Sequence, residues 1–341
     1  MLKYRDLYKY AVRRIILNNN KKKSCLLNII FIVALSLVYC VSDGILQFAA
    51  GIMTSVLIGF SVTKYHYSFV AAGCAASVAV LTAFYSYFGG AVGAIAGIAS
   101  GAILVLLGIG LGLSSNLKMS ISGTVLMCSL IYLANMLIGF IVLGQGIPFE
   151  TMIKEFREVL LETIRMQYAN IPEINAAADE IIGSVMEVSI KFIPCLLICS
   201  AGVSGLILSF VYNVMIKKLN KNVKTESFSA LHVERTVGVL FLAICLASSL
   251  TTNALIADAL LNLILIICFA FFVCGLSYLD FSMKRKGRNK TYRTMMIFVV
   301  IPLVSMSFAL PAVFIAGMGF FDSLINFRKR YSLKEDEDGT E

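Results

Sequence analysis

The sequence predicts an all-α, polytopic transmembrane bundle of about nine or ten spans with an extracytoplasmic helical hairpin insert. Three observations predict it. The 341 residues are 59% hydrophobic and only 14% charged, where a soluble domain is about a quarter charged. Apolar runs recur from Ser24 to Phe327, at the roughly 20 residues that a helical span needs. One long polar stretch, Gly144 to Lys191, interrupts them. It has to lie outside the hydrocarbon, so its side of the membrane sets the topology of the rest.

Residues 1–23 read as a basic amphipathic cytoplasmic helix. Tyr4, Leu7, Tyr8, Ala11, Val12, Ile15 and Ile16 share one face, and eight Lys and Arg fall within the segment. Such a helix lies on a membrane surface, and its charge assigns the N-terminus to the inside. A membrane domain over 24–330 follows. Its first five spans are expected near 25–42, 44–63, 66–87, 90–113 and 121–143, with short connections. The insert at 144–190 is then outside. The net charge of +9 is spread over short inner segments. That pattern sets orientation and gives no basic groove, so nucleic acid is excluded as a partner.

The fourth span opens with Gly89, Gly93, Gly97 and Gly101. This i, i+4 ladder makes a smooth stripe where a neighbouring helix approaches closely. Gly51, Ser55 and Gly59 form a shorter ladder on the second span. The plain reading is helix packing, and the sharper one is a docking face for a partner protein. Asn135, mid-way along the fifth span, is expected to bond across helices or to touch a ligand.

The insert carries eight acidic residues against three basic ones. It reads as two amphipathic helices parted at Asn170-Ile-Pro172, because the residue before a proline disfavours helix. One stripe holds Phe149, Met152, Ile153, Phe156, Leu160 and Ile164; the other holds Ile174, Ala177, Ala178, Ile181, Ile182 and Val185. Phe156 and Ile182 are expected to face inward, making a lid. The carboxylates read as a solvated helix face, not as an acid–base pair.

A sixth span is expected over about 191–216, with Pro194 in its first turns, followed by a basic inner elbow at 217–235. Spans seven and eight are expected near 236–252 and 256–279. Asp258 and Asn262 share a face at the outer end of the eighth, and an acid there is a binding-site candidate or a solvated helix start. The stretch 295–327, with Pro302 and Pro311, reads as a pair of short helices that returns the C-terminus to the inside, and 331–341 as an acidic, disordered tail. The nine cysteines form no CxxC pair. Cys195 and Cys199, at i, i+4, read as small packing residues with no metal ligand beside them. No catalytic constellation, phosphate loop or metal cluster is present, so neither enzymatic activity nor a cofactor or metal is expected.

Two segments carry a family resemblance: Gly275-Leu-Ser-Tyr278 before a basic loop, and Gly319-Phe-Phe-Asp322-Ser-Leu-Ile-Asn-Phe-Arg328-Lys329-Arg330 near the end. With the order of elements, they make the chain similar to the YybS family of uncharacterised bacterial multi-pass membrane proteins. The elbow departs from that pattern, with Leu231 near where a proline is expected. The family looks distantly similar to the substrate-binding subunits of energy-coupling-factor transporters. The resemblance implies a bacterial cytoplasmic membrane protein and a binding role for an unknown small molecule, with a separate ATPase as partner. Asn135, Asp258 and Asn262 are the candidate ligand contacts. The alternative is a membrane scaffold that docks cell-envelope or division proteins.

Overall fold

The computed structural model describes residues 23–143, 149–167, 171–219, 226–297 and 310–329. The basic helix expected before Lys23, Pro302, Arg330 and the acidic tail lie outside them. Every regular element among the described residues is helical. In chain order these are α1 (Lys23–Val41), α2 (Gly44–Lys64), α3 (Tyr67–Asn116), α4 (Ile121–Leu143), α5 (Phe149–Gln167), α6 (Pro172–Leu219), a 3-10 turn at Phe228–Ala230, α7 (Arg235–Leu250), α8 (Ala254–Arg285), α9 (290–297) and α10 (Leu310–Ile325). Six of them are long and apolar enough to cross a membrane: α1, α2, α3, α4, α6 and α8. The described parts of α7 and α10 are shorter and apolar.

The chain divides into two compact units. The first gathers the described residues through Tyr132 together with Ser204–Glu226. Its core is a stripe from each of several helices: Ile52, Val56 and Phe60 on α2, Leu107 and Leu111 on α3, Cys128 on α4, and Leu208, Tyr212 and Ile216 on α6. The i, i+4 spacing puts each set on one helix face.

The 50 residues of α3 are not one rod. At Gly90 the backbone takes φ 57° and ψ −136°, a conformation open only to glycine, and the helix folds back on itself. The two arms then meet through the glycine ladder. A Cβ on Gly97 would stand 2.6 Å from the Leu81 carbonyl oxygen, and one on Gly101 would stand 2.9 Å from the Val78 Cα. A Cβ on Gly93 would collide with the Tyr85 carbonyl, whereas around Gly89 there is open space. The second arm uses its other faces on α2. Gly108 lies against Ile58 and the Ser55 carbonyl, Gly112 against Val62, and Gly59 against the Gly108 carbonyl. Ser55 Oγ donates to the Leu104 carbonyl at 3.0 Å. Between α1 and the first arm of α3, the buried hydroxyls of Ser36 and Ser77 bond at 2.9 Å. Glu226 closes this unit: its carboxylate accepts from the Ile121 N–H at 2.9 Å, placing negative charge where the α4 N-terminus is positive.

The second unit gathers Leu133–Val203 and the described residues from Ser227 onward. It holds the polar insert, where two expectations change. The second insert helix and the sixth span are one continuous helix, α6, because nothing in the sequence stops a helix between Pro172 and Pro194. The buried stripe is also rotated: Ala178, Ile182 and Met186 are buried, while Ile181, Val185 and Phe156 are exposed. Arg165 joins α5 to α6 by donating to Asp179 at 2.8 Å, and Arg157 approaches the same carboxylate at 3.8 Å. Elsewhere in this unit, Phe241 of α7, Phe271 of α8 and Phe320 of α10 form an edge-on triad with centroids 5.3 to 5.6 Å apart.

Candidate functional site

Two polar clusters stand out in the second unit. The first contains two of the residues that the sequence suggests. Asn253 accepts from the Leu255 and Ile256 N–H groups and so caps the start of α8. Two turns on, Asn262 is buried and faces α6. Its Oδ1 accepts from the Cys195 N–H at 3.1 Å, and its Nδ2 donates to the Lys191 carbonyl at 2.8 Å and to the Asp258 carbonyl at 2.9 Å. In an uninterrupted helix the Lys191 carbonyl and the Cys195 N–H would bond each other. Here Pro194 sits between them, without an N–H for the turn before it. The Asn262 amide therefore bridges the proline break, with both of its N–H groups used. Asp258 is half-buried one turn away, and an exposed Glu187–Lys191 ion pair of 3.3 Å lies at the same level of α6. Asn135 is half-buried on α4, and among the described residues no hydrogen bond or ion pair joins it to Asp258 or Asn262. Cys195 and Cys199 lie Sγ to Sγ at 3.8 Å, and among the described residues no group of His, Cys, Asp and Glu is arranged to hold a metal.

The second cluster is built from the C-terminal motif. It begins where α8 crosses α10. A Cβ on Gly275 would collide with the Ile315 carbonyl, and one on Gly319 with the Phe271 carbonyl. The two backbones touch because both helices present glycine at the crossing, the close approach that stabilises helix pairs in lipid. Asp322 follows Gly319 by one turn and is buried. At the end of α10 the Asn326 N–H closes on the Asp322 carbonyl at 2.8 Å, and Asn326 itself takes φ +53°. This left-handed residue, one of the few types that tolerate it, turns the chain back on the helix end.

That reversal returns Arg328 to the bundle. Its Nε donates to Asp322 Oδ2 at 2.8 Å, Nη1 to the Ser229 carbonyl at 2.7 Å and to Ser277 Oγ at 3.2 Å, and Nη2 to the Cys274 carbonyl at 3.3 Å. The Arg328 side chain is 12% exposed and that of Asp322 4%. The rings of Tyr278 and Phe281 lie 6.0 and 5.8 Å from the guanidinium carbon. Ser277 Oγ also bonds to the carbonyls of Phe228 and Leu231, at 2.7 and 2.8 Å. The elbow is thus pinned at its 3-10 turn, with Ser229 and Leu231 buried. Lys329 contributes its N–H to Asn326 Oδ1 at 3.3 Å. One guanidinium therefore fastens the elbow, α8 and α10 together, a task suited to its planar, permanently charged fork of five donors. A second ion pair, Asp280 with Arg293 at 3.2 Å, joins α8 to α9.

Sequence reasoning singled out Asp322 and Arg328 as motif residues but did not pair them; it took Ser277 only as part of the Gly275–Tyr278 motif and Arg293 only as a charge of the inner loop, and it passed over Asp280. The available signal was an acid inside each of two apolar helices, which calls for a partner.

A bundle of long apolar helices, joined at glycine crossings and by charges satisfied inside the protein, defines a polytopic helical membrane protein. This chain belongs to the family described as predicted membrane protein (DUF2232), whose pattern it matches over residues 18–323. Neither a curated protein nor a solved structure matches it.

Proposed function

We propose that this protein is a transport-type binding subunit of a bacterial cytoplasmic membrane, with both termini inside. It takes a small molecule from outside, beneath the α5–α6 hairpin. It performs no chemistry on that molecule and has no nucleotide site of its own, so active transport relies on a separate ATPase. The observation that carries this reading is the proline break in α6 bridged by Asn262 at the foot of the hairpin. Interrupted helices are where transporters of many folds hold their ligands, and here the groups freed by the interruption are held by Asn262 from the neighbouring helix. Asp258 is the ligand-facing polar group of choice in this reading, Asn262 acts by holding the proline break beside it, and Asn135 is a more distant candidate.

Mass spectrometry of gently purified protein tests it. A small molecule released from the parent in near-stoichiometric amount, and lost from Asp258→Asn, supports the binding subunit. A stoichiometric protein partner with no small molecule supports the scaffold reading instead. That alternative draws on the exposed basic run Lys284, Arg285, Lys286, Arg288 and Lys290, which gives a docking protein an anion-seeking surface. Orientation is tested separately by fusing a reporter that is active only outside the membrane after Glu341. Silence there supports an inner C-terminus, and activity overturns it.

A further inference from the structure

The hinge between α8 and α9 has a cavity that the binding reading does not use, and the scaffold reading takes from it only two of its surface charges, Lys286 and Arg288. Helix α8 ends at Arg285, Gly287 reverses the chain at φ +70°, and the helix resumes at 290. Arg293 then reaches back to Asp280 at 3.2 Å, with side chains 13% and 7% exposed. This buried pair fixes α9 against the last turns of α8 and leaves a cavity of about 300 Å³ between them. One wall is apolar, from Leu276, Leu279 and Met283; the rim carries Lys286, Arg288 and Tyr292. The Arg288 guanidinium carbon lies 5.5 Å from the Tyr292 ring centroid, which holds that cation at the rim.

The charges are unequal in their neighbours. Arg293 is neutralised by Asp280. Lys286 and Arg288 are exposed, and among the described residues neither pairs with a carboxylate. Beside them Met295 is 65% exposed. Two cations with no carboxylate partner among the described residues, above an apolar wall at the end of a helix apolar enough to cross a membrane, match a molecule with an anionic head and a hydrocarbon body.

We propose that this cavity seats an anionic phospholipid of the leaflet that meets this end of α8. Lys286 and Arg288 hold the phosphate ester through charge-assisted hydrogen bonds. An acyl chain covers the half-buried Leu279 and Met283, which a free phosphate would leave uncovered. The site is independent of the transport reading, because it lies at the α8 C-terminus and Asn262 lies near the N-terminus.

Native mass spectrometry of the full chain in mild detergent tests this, with phosphatidylglycerol and phosphatidylcholine offered at equal concentration. The parent is expected to retain phosphatidylglycerol by about 30-fold over phosphatidylcholine, given the attraction that each basic residue adds. The pair Lys286→Gln and Arg288→Gln is expected to bring that ratio near one, with an unchanged melting temperature. The control pair Lys118→Gln and Lys218→Gln, which removes as much exposed charge elsewhere, is expected to keep it. Equal retention of the two lipids by the parent overturns the proposal. So does a preference that survives in the first pair or is lost in the control, and so does displacement of the lipid by inorganic phosphate alone, which would make this a plain anion site.

Discussion

Arg328 and Asp322 face each other at 2.8 Å across the left-handed turn at Asn326. Their ion pair is the buried knot to which the Ser229 and Cys274 carbonyls are also tied. Removing one partner of a buried pair leaves the other charged and unsatisfied, at about 3–5 kcal/mol. Arg328→Met is therefore expected to lower the melting temperature sharply in detergent. Arg328→Lys is expected to recover little, because an ammonium cannot replace the fork's separate, planar donors. A lysine variant that melts like the parent would show that charge alone suffices.

The crossing of α8 and α10 depends on the missing side chains of Gly275 and Gly319. The nearest atoms met there are backbone, which cannot swing aside. Either residue changed to Ala is expected to separate the helices and cost about 1–3 kcal/mol, the range for overpacking. Gly317→Ala, with nothing within 4 Å of its added Cβ, is the matched control and is expected to be neutral. Equal melting of Gly275→Ala and Gly317→Ala would remove the crossing from the account.

Gly97→Leu is expected to force the arms of α3 apart, since even its Cβ would stand 2.6 Å from the Leu81 carbonyl oxygen. Gly89→Leu is expected to leave stability unchanged. Thermal melting of the two in one detergent makes the comparison, and a reversed order would contradict the hairpin.

Asn262→Ala is expected to cost about 1–3 kcal/mol by stranding the Lys191 carbonyl and the Cys195 N–H. In a Pro194→Ala background those two groups can pair with each other again, so the same substitution is expected to cost less. A double-mutant cycle measures the difference, and zero coupling would mean that Asn262 does not act through the proline break.

The helices were legible in the sequence because apolar length is the main demand of a bilayer. Glycine at every fourth position likewise announced close packing. Its partner was less legible. The ladder meets the first arm of its own helix, and that depends on the backbone at Gly90, whose φ has no signature separable from any other glycine turn. Asn262 was legible as a polar residue in a span, but not as the donor for Lys191, because the pairing spans two elements whose register only packing decides. Asp322 and Arg328 stood in one motif, yet their pairing needs the reversal at Asn326. The one helix running from Pro172 through Pro194 contradicted a boundary drawn from polarity alone. Polarity marks where water begins, and a helix can continue through that border.

The fold at Gly90 also bears on how the protein is made. The contacts of the α3 hairpin run between segments that are near neighbours in the chain, so little loop entropy opposes their meeting. This pair can form while most of the polypeptide is still to be synthesised. Arg328, by contrast, is translated after every helix that it fastens. The α3 hairpin is thus secured arm-to-arm as it emerges, and the Arg328 knot only after α8 and α10 have been made. A message cut short before residue 328 would yield an inserted chain with its closing knot untied.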